Sequence, residues 1–303
     1  MINKILFCGL DNAGKTSIIY TLKKQYNFLS DLKPTMGIKR KKHKVLGIEF
    51  ILWDLGGQKT YRDNYFKREE FIFSDVGLLI YVIDIQDEER FEDIEKYYKK
   101  IINSIEKYQA TPSITILFHK MDPDLEFDPK MKMFEKDIKK RLKSISNKFD
   151  VTFFKTSVYR RYSLINAFSY SLRKLSDKSE GNIVQYLKDW AKVLDVTSLI
   201  LLNNEDVIIG EYFKNEDSYQ AVEEIMDNII SLSNESFKSQ EPVIIKKPNS
   251  IIGIDPIKIG KHDLILIKFS NKPENFEKLT SYTIDFSQYP NIENILNDYF
   301  KKI

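Results

Sequence analysis

The chain has 303 residues, 42% of them hydrophobic, with 47 Lys and Arg, 44 Asp and Glu and a single cysteine. That length and apolar content suit two domain-sized cores, and one cysteine, Cys8, excludes a disulfide framework and fits a reducing compartment. No apolar run approaches the ~18 residues a membrane span needs, position 2 is not the glycine of an N-myristoylation signal, and Met1-Ile2-Asn3-Lys4 enters the first strand without a signal peptide.

Charge divides unevenly: residues 1–178 carry 34 basic and 24 acidic side chains, the remainder 13 and 20. Two regions of net +10 and −7 fit two domains with different partners, or an attraction between them in cis or across a dimer. Apolar strands alternate with helical segments up to Leu175, which predicts an α/β fold on a mostly parallel six-stranded sheet. Strands are expected near 3–8, 40–46, 48–54, 76–83, 113–118 and 151–155, and helices near 15–25, 88–109, 131–147 and 161–175. The polar stretch from Ser176 to Asn182 reads as a linker or helix terminus. Beyond it the order is a helix near 183–194, a hairpin of 198–202 and 207–213, one helix near 217–237, strands near 242–247, 250–255 and 262–269, and a helix near 291–301. The expected domains are therefore 1–178 and 179–303, the second of α+β type.

Directly behind the apolar run Ile5-Leu6-Phe7-Cys8 stands Gly9-Leu10-Asp11-Asn12-Ala13-Gly14-Lys15-Thr16, a complete G-x-x-x-x-G-K-T phosphate loop. Its glycines let successive N–H groups face an anion, Lys15 adds a point charge, and the Thr16 hydroxyl can sit on Mg²⁺. Trp53-Asp54-Leu55-Gly56-Gly57-Gln58 closes a second strand: Asp54 can hold Mg²⁺ through water, the Gly57 N–H can meet a γ-phosphate, and Gln58 can orient a water. Between them, Pro34-Thr35-Met36-Gly37 places Thr35 toward the metal and γ-phosphate. His119-Lys120-Met121-Asp122 ends a later strand, where Asp122 can accept from guanine N1–H and N2–H₂, a pattern adenine lacks. Thr156-Ser157-Val158 offers backbone groups to the guanine O6.

The order of these motifs resembles the small GTPase superfamily. Gly-Leu-Asp-Asn-Ala-Gly-Lys-Thr, Pro-Thr-Met-Gly and Trp-Asp-Leu-Gly-Gly-Gln resemble its Arf branch. His119-Lys120-Met121-Asp122, Asn64-Tyr65-Phe66, Leu79–Asp84 and Lys155–Val158 resemble the Rag GTPases. The resemblance implies phosphate contacts from Asn12, Ala13, Gly14, Lys15, Thr16 and Ser17, metal contacts from Thr16 and Thr35, γ-phosphate sensing by Gly57 and water positioning by Gln58. It implies base contacts from Lys120, Asp122, Ser157 and Val158, with a His119 ring nitrogen replacing the usual asparagine amide. The C-terminal element order resembles the roadblock/longin-type domain of Rag GTPases. With Met1-Ile2-Asn3-Lys4 running into the first strand, the amphipathic N-terminal helix of Arf proteins is not expected.

The expected activity is GTP hydrolysis to GDP, with Gln58, Lys15 and Thr35 in catalytic roles and Mg²⁺ as cofactor. No arginine is placed by sequence as a finger in cis, so a slow rate is expected, and the alternative is a nucleotide-binding scaffold with little turnover. The expected partners are a second chain, identical or related, through 179–303, and activating or effector proteins at the switches 33–45 and 56–73. Localisation is expected to be cytoplasmic, with membrane contact only through partners. Nucleic acid is not expected, because the basic run Lys39–Lys44 has no interleaved aromatics and suits a protected sheet edge.

Overall fold

The computed structural model describes residues 4–29, 38–45, 48–55, 64, 66–125, 127–175, 180–275, 279, 284, 289 and 291–302. The chain divides into two compact units, 1–175 and 176–302.

The first unit is a six-stranded sheet in the order β2-β3-β1-β4-β5-β6. Its strands are β1 (Lys4–Cys8), β2 (Ile38–Val45), β3 (Ile48–Leu55), β4 (Val76–Asp84), β5 (Ser113–His119) and β6 (Val151–Thr156). Only the β2–β3 pair is antiparallel. β4 is buried along nearly its whole length, as its unbroken apolar sequence requires of a central parallel strand. The helices are α1 (Lys15–Leu22), α2 (Glu69–Phe73), α3 (Phe91–Lys107), α4 (Pro129–Ile145) and α5 (Arg161–Leu175). α1 stops short of the expected residue 25 because Lys24 turns left-handed, with φ 58°.

In α3 the positions Ile94, Tyr97, Tyr98, Ile101, Ile102 and Ile105 recur at helical spacing and bury one face against the sheet. Two hydroxyls in that core are matched. Tyr81 donates to the Ile94 carbonyl at 2.8 Å, and Tyr98 bonds the Ser146 hydroxyl at 2.9 Å. α4 begins where its sequence says it should: Asp128 accepts from the Lys130 and Met131 amides, and Pro129 occupies the first turn.

The second unit is a wholly antiparallel sheet in the order β8-β7-β11-β10-β9. It comprises β7 (Ser198–Asn203), β8 (Ile208–Phe213), β9 (Val243–Lys247), β10 (Ser250–Ile259) and β11 (His262–Ser270). Its helices are α6 (Glu180–Leu194), α7 (Glu216–Glu223), α8 (Met226–Ser239) and α9 (Ile292–Lys302). Gly210 on β8 lets α6 approach closely, since a Cβ there would meet Ile183 and Leu187.

One expectation is corrected. The single helix near 217–237 is two, α7 and α8. The Ile225 amide bonds the Val222 carbonyl only three residues back, so the turn tightens and a new helix starts at Met226. The break brings Val222, Met226, Ile229 and Ile230 all into the core.

Candidate nucleotide site

The sheet delivers the motifs to one edge. β1 ends into the phosphate loop, β5 into His119-Lys120-Met121-Asp122, and β6 into Thr156-Ser157-Val158. In register, His119 lies between Asp84 of β4 and Thr156 of β6. These are carboxyl ends of parallel strands, where open α/β sheets bind ligands.

Backbone handedness shapes the phosphate loop. Gly9, Asn12 and Gly14 all have positive φ, at 150°, 60° and 87°. Such alternation turns consecutive N–H groups into one concavity, an anion nest. Gly9 is obligatory, because a Cβ there would collide with the Val82 carbonyl of β4. The Lys15 ammonium donates to the Gly9 carbonyl at 2.9 Å and the Leu10 carbonyl at 2.8 Å, which ties the loop closed at its neck. α1 follows with no capping side chain and no acid in its first turn, so its positive end is kept for an anion. Ala13 is buried, Thr16 and Ser17 are half-buried, and Asn12 is exposed.

The base motif is joined to this loop by contact. The His119 ring is 1% exposed and lies so close to Gly14 that any Cβ at position 14 would strike it. Its Nδ1 pairs with the Thr156 hydroxyl at 3.1 Å. Burial, with the Lys120 charge adding to it, pulls the imidazole down to about 3, so the ring is neutral near pH 7. A neutral ring is what this place demands, since its neighbours are a phosphate loop neck, a hydroxyl and an ammonium.

Asp122 accepts from the Ser157 hydroxyl at 2.5 Å, and the Met121 amide donates to the Thr156 carbonyl at 3.1 Å. The Ser157 amide is held by the Ser163 hydroxyl at 3.1 Å, and Val158 is half-buried beside it. The structure therefore brings together Asn12 through Ser17, His119, Lys120, Asp122, Ser157 and Val158. Asp54 lies opposite Phe7 of β1 in the parallel register, so its backbone stands next to the neck of the phosphate loop. Its side chain, and the whole of Thr35, Gly57 and Gln58, lie outside the described residues.

Two arrangements were not evident from the sequence. Lys120 has φ 61° and its ammonium meets Asp84 at 2.6 Å, while Gln86 binds the Lys120 carbonyl at 2.8 Å. Arg90 reaches the phosphate loop itself, at 3.0 Å from the Asp11 carboxylate and 3.1 Å from the Asp11 carbonyl, and is steadied by Asp87. The sequence expectation was that no arginine is placed as a finger in cis; Arg90 stands on the loop, with its guanidinium occupied by the carboxylates of Asp11 and Asp87. The available signal was Asp87-Glu88-Glu89-Arg90 directly after β4, an i,i+3 acid–base pair at the ligand edge of the sheet.

The chain is similar to known proteins. The family model for the Gtr1/RagA G protein conserved region matches residues 4–230. GTP-binding protein GTR1 of Saccharomyces cerevisiae is 27% identical over 242 residues, which is 78% of this chain and 76% of that protein. Ras-related GTP-binding protein B of Rattus norvegicus is 26% identical over 251 residues, 75% of this chain and 64% of that protein, so the chain spans a little under two thirds of it. ADP-ribosylation factor-like protein alp41 of Schizosaccharomyces pombe is 34% identical over 122 residues, 39% of this chain and 60% of that protein. With the family model matched over residues 4–230, most of this chain, and with phosphate loop and base motif on one sheet edge, the chain belongs to the Gtr1/RagA family of G proteins.

Proposed function

We propose that the chain is a cytoplasmic GTP/GDP switch that hydrolyses GTP slowly and changes partners with the state of its nucleotide. The observation that carries this is the shared frame of the two motifs: Gly14 against His119, His119 on Thr156, and Ser157 on Asp122. A loop built for phosphates and a carboxylate held for a base are thereby fixed at one spacing, as a nucleotide requires.

In this proposal Asp122 accepts from the guanine edge, Ser157 holds that carboxylate in place, and the Val158 amide faces O6. The uncapped start of α1 and the loop amides of Asn12 through Ser17 take the phosphates. Lys15 exchanges its two carbonyl partners for phosphate oxygens. Thr16, Thr35 and Asp54 are a wholly oxygen donor set, which fits Mg²⁺. When bound, Mg²⁺ supplies charge neutralisation on the β- and γ-phosphates. Gln58 orients the attacking water, and Thr35 and Gly57 report the presence of the γ-phosphate. Loss of that phosphate releases the segments 33–45 and 56–73, where activators and effectors would bind. The α+β unit, roadblock/longin-like in element order, would form a dimer with a like or related chain.

The first experiment is to denature the purified protein and identify the nucleotide released. GDP or GTP at near one per chain supports the guanine site, and an adenine nucleotide overturns it. Asp122→Asn should cost at least ~10²-fold in GDP affinity and admit xanthine nucleotides, because a buried hydrogen-bond mismatch is penalised heavily. A second reading, a nucleotide-binding scaffold with little turnover, draws on Arg90, whose guanidinium is taken up by Asp11 and Asp87. Single-turnover hydrolysis by the natural chain and by Gln58→Leu separates the two: a slower variant means catalysis, equal rates mean scaffold.

A further inference from the structure

The outward face of α4 is unlike any other charged surface described in the first unit. The helix carries seven Lys and Arg against two acids, Glu135 and Asp137. Its buried side is set by Ile138 and Leu142. Opposite them, at spacings of three and four, stand Lys132 or Met133, Lys136, Lys140 and Lys143, all exposed. Residues so spaced are neighbours on a helix, so this is a row of like charges, which weakens an isolated helix.

The basic residues on the flanks of the helix are answered within the chain. Lys130 pairs with Glu88 at 2.9 Å, Arg141 with Asp137 at 2.9 Å, and Lys139 lies over the Phe153 ring at 5.3 Å. Lys136, Lys140 and Lys143 have no ion pair among the described residues. The neighbouring α3 shows what a merely solvated face looks like: its outward side mixes signs, with Lys96 on Glu92 at 3.0 Å and Lys107 on Glu69 at 2.6 Å.

At the start of the lysine row two large apolar side chains face solvent. Phe127, just before the Asp128 cap, and Met133, one turn into the helix, are each 76% exposed. Lys132 lies 5.3 Å over the Phe127 ring. Desolvating an aromatic and a thioether is favourable wherever an apolar medium is offered.

We propose that this face of α4 docks on an anionic lipid surface. Phe127 and Met133 enter below the headgroups, and Lys132, Lys136, Lys140 and Lys143 lie along them with their stems in the interface and their ammonium groups on lipid phosphates and carboxylates. An acidic protein would also answer the lysines. The two apolar tips favour lipid, because a protein must offer each of them a shaped pocket, whereas a bilayer accepts any apolar tip. The proposal stands on this face alone and does not depend on the nucleotide reaction. It differs from the sequence expectation, which was membrane contact only through partners.

The test is co-sedimentation of the full chain with phosphatidylcholine vesicles, with and without phosphatidylserine, at low and high salt. Binding is expected only with phosphatidylserine, and it should weaken as salt rises. Lys136→Glu/Lys140→Glu/Lys143→Glu should lose at least about tenfold in partition, since each lysine near a charged surface contributes comparably. Phe127→Ser/Met133→Ser should lose several-fold at high salt, where the apolar part dominates. Lys96→Glu/Lys99→Glu/Lys100→Glu on α3, three exposed lysines, serves as the control of equal charge change and should bind as the natural chain does. Equal binding to both vesicle types overturns the proposal. So does a triple variant that binds like the natural chain while retaining its far-ultraviolet circular dichroism, or loss of binding in the α3 control. A chain that ignores the vesicles but binds polyglutamate through the same lysines assigns the face to an acidic protein instead.

Discussion

Each unit holds a basic side chain only 1% exposed, His119 in the first and Lys268 in the second, and the two solve the problem differently. His119, in the first unit, sits between a glycine and a hydroxyl and stays neutral. Lys268 on β11, in the second, is 1% exposed and is held as an ion pair, 2.5 Å from Asp255 and 2.5 Å from the Leu279 carbonyl. Gly253 on the adjacent strand makes room, since a Cβ there would press on the lysine stem. Burial lifts the Asp255 carboxyl above its ordinary value, against the pull of Lys268. Where a group can discard its proton, the fold lets desolvation win. On β11 the fold instead sets a carboxylate, Asp255, against the buried ammonium. The first solution suits a place that must later receive phosphates without repelling Lys120.

Breaking the ion pair should have the largest effect. Asp255→Ala leaves Lys268 buried with one carbonyl, and the loss of one partner of a buried pair costs about 3–5 kcal/mol. Removing both, in Lys268→Met/Asp255→Ala, should recover most of that, because an apolar stem of similar volume has no charge to desolvate. Urea unfolding followed by Trp190 fluorescence in a Trp53→Phe background reports on the second unit, where Trp190 is buried. If the double variant is as unstable as the single, the pair contributes more than compensation for its own burial.

Removing the neutral ring should cost somewhat less. His119→Ala empties the space against Gly14 and leaves the Thr156 hydroxyl without that partner, together about 2–3 kcal/mol. GDP should also leave faster, since the loop and base motif lose their contact. His119→Asn restores a polar group and should recover part of both. The same residue predicts a pH effect of known sign. Folded, the imidazole titrates at about 3, while its ordinary value is 6.5. Between those values the unfolded chain holds a proton the folded chain does not, so stability is complete above pH 6.5 and falls as pH falls. The loss between pH 6.5 and 5.5 should be about 1 kcal/mol. His119→Asn should remove that part of the slope. Thermal unfolding by circular dichroism at the two pH values measures the difference, and identical slopes would show that His119 takes up its proton as readily in the folded chain as in the unfolded one.

The phosphate loop and base motif were legible because each is local: a few residues at fixed spacing on a strand end. Five of the six first-unit strands fell within a residue of their expected ends at both termini, as long apolar runs between polar breaks allow. The division of α7 from α8 was not legible, because the tightened turn at Ile225 involves no glycine or proline and is set by what Val222 and Met226 pack against. Nor was the Lys120–Asp84 bridge, whose partners are 36 residues apart and meet only because β4 and β5 are adjacent in register. The lysine row of α4 was visible as charge, but not as a single exposed stripe, since that requires knowing which side faces the sheet.

Arg90 tests the smallest effect and sharpens what holds the two motifs in place. Its guanidinium is partly exposed and makes its bonds to Asp11 at 3.0 and 3.1 Å, with Asp87 as second partner. Asp87, first by its hydrogen bond, keeps the guanidinium firmly charged. A pair this open to solvent contributes less than about 1 kcal/mol to stability, so Arg90→Ala should shift the melting temperature little. Its effect on the loop should be larger than its effect on the fold. Asp11 lies two residues after Gly9 and one before Asn12, in the stretch whose backbone alternation makes the anion nest. Releasing it loosens the amides that face the phosphates, so GDP release should quicken severalfold while the base preference stays the same. Arg90→Lys keeps the charge but cannot reach the carboxylate and the carbonyl of Asp11 with separate nitrogens, and should recover only part of the lost residence time. Stopped-flow release of a fluorescent GDP analogue compares the three chains. An unchanged off-rate in Arg90→Ala would leave the Lys15 bonds to the Gly9 and Leu10 carbonyls and the His119–Gly14 contact as the described side-chain links on which the loop's geometry depends.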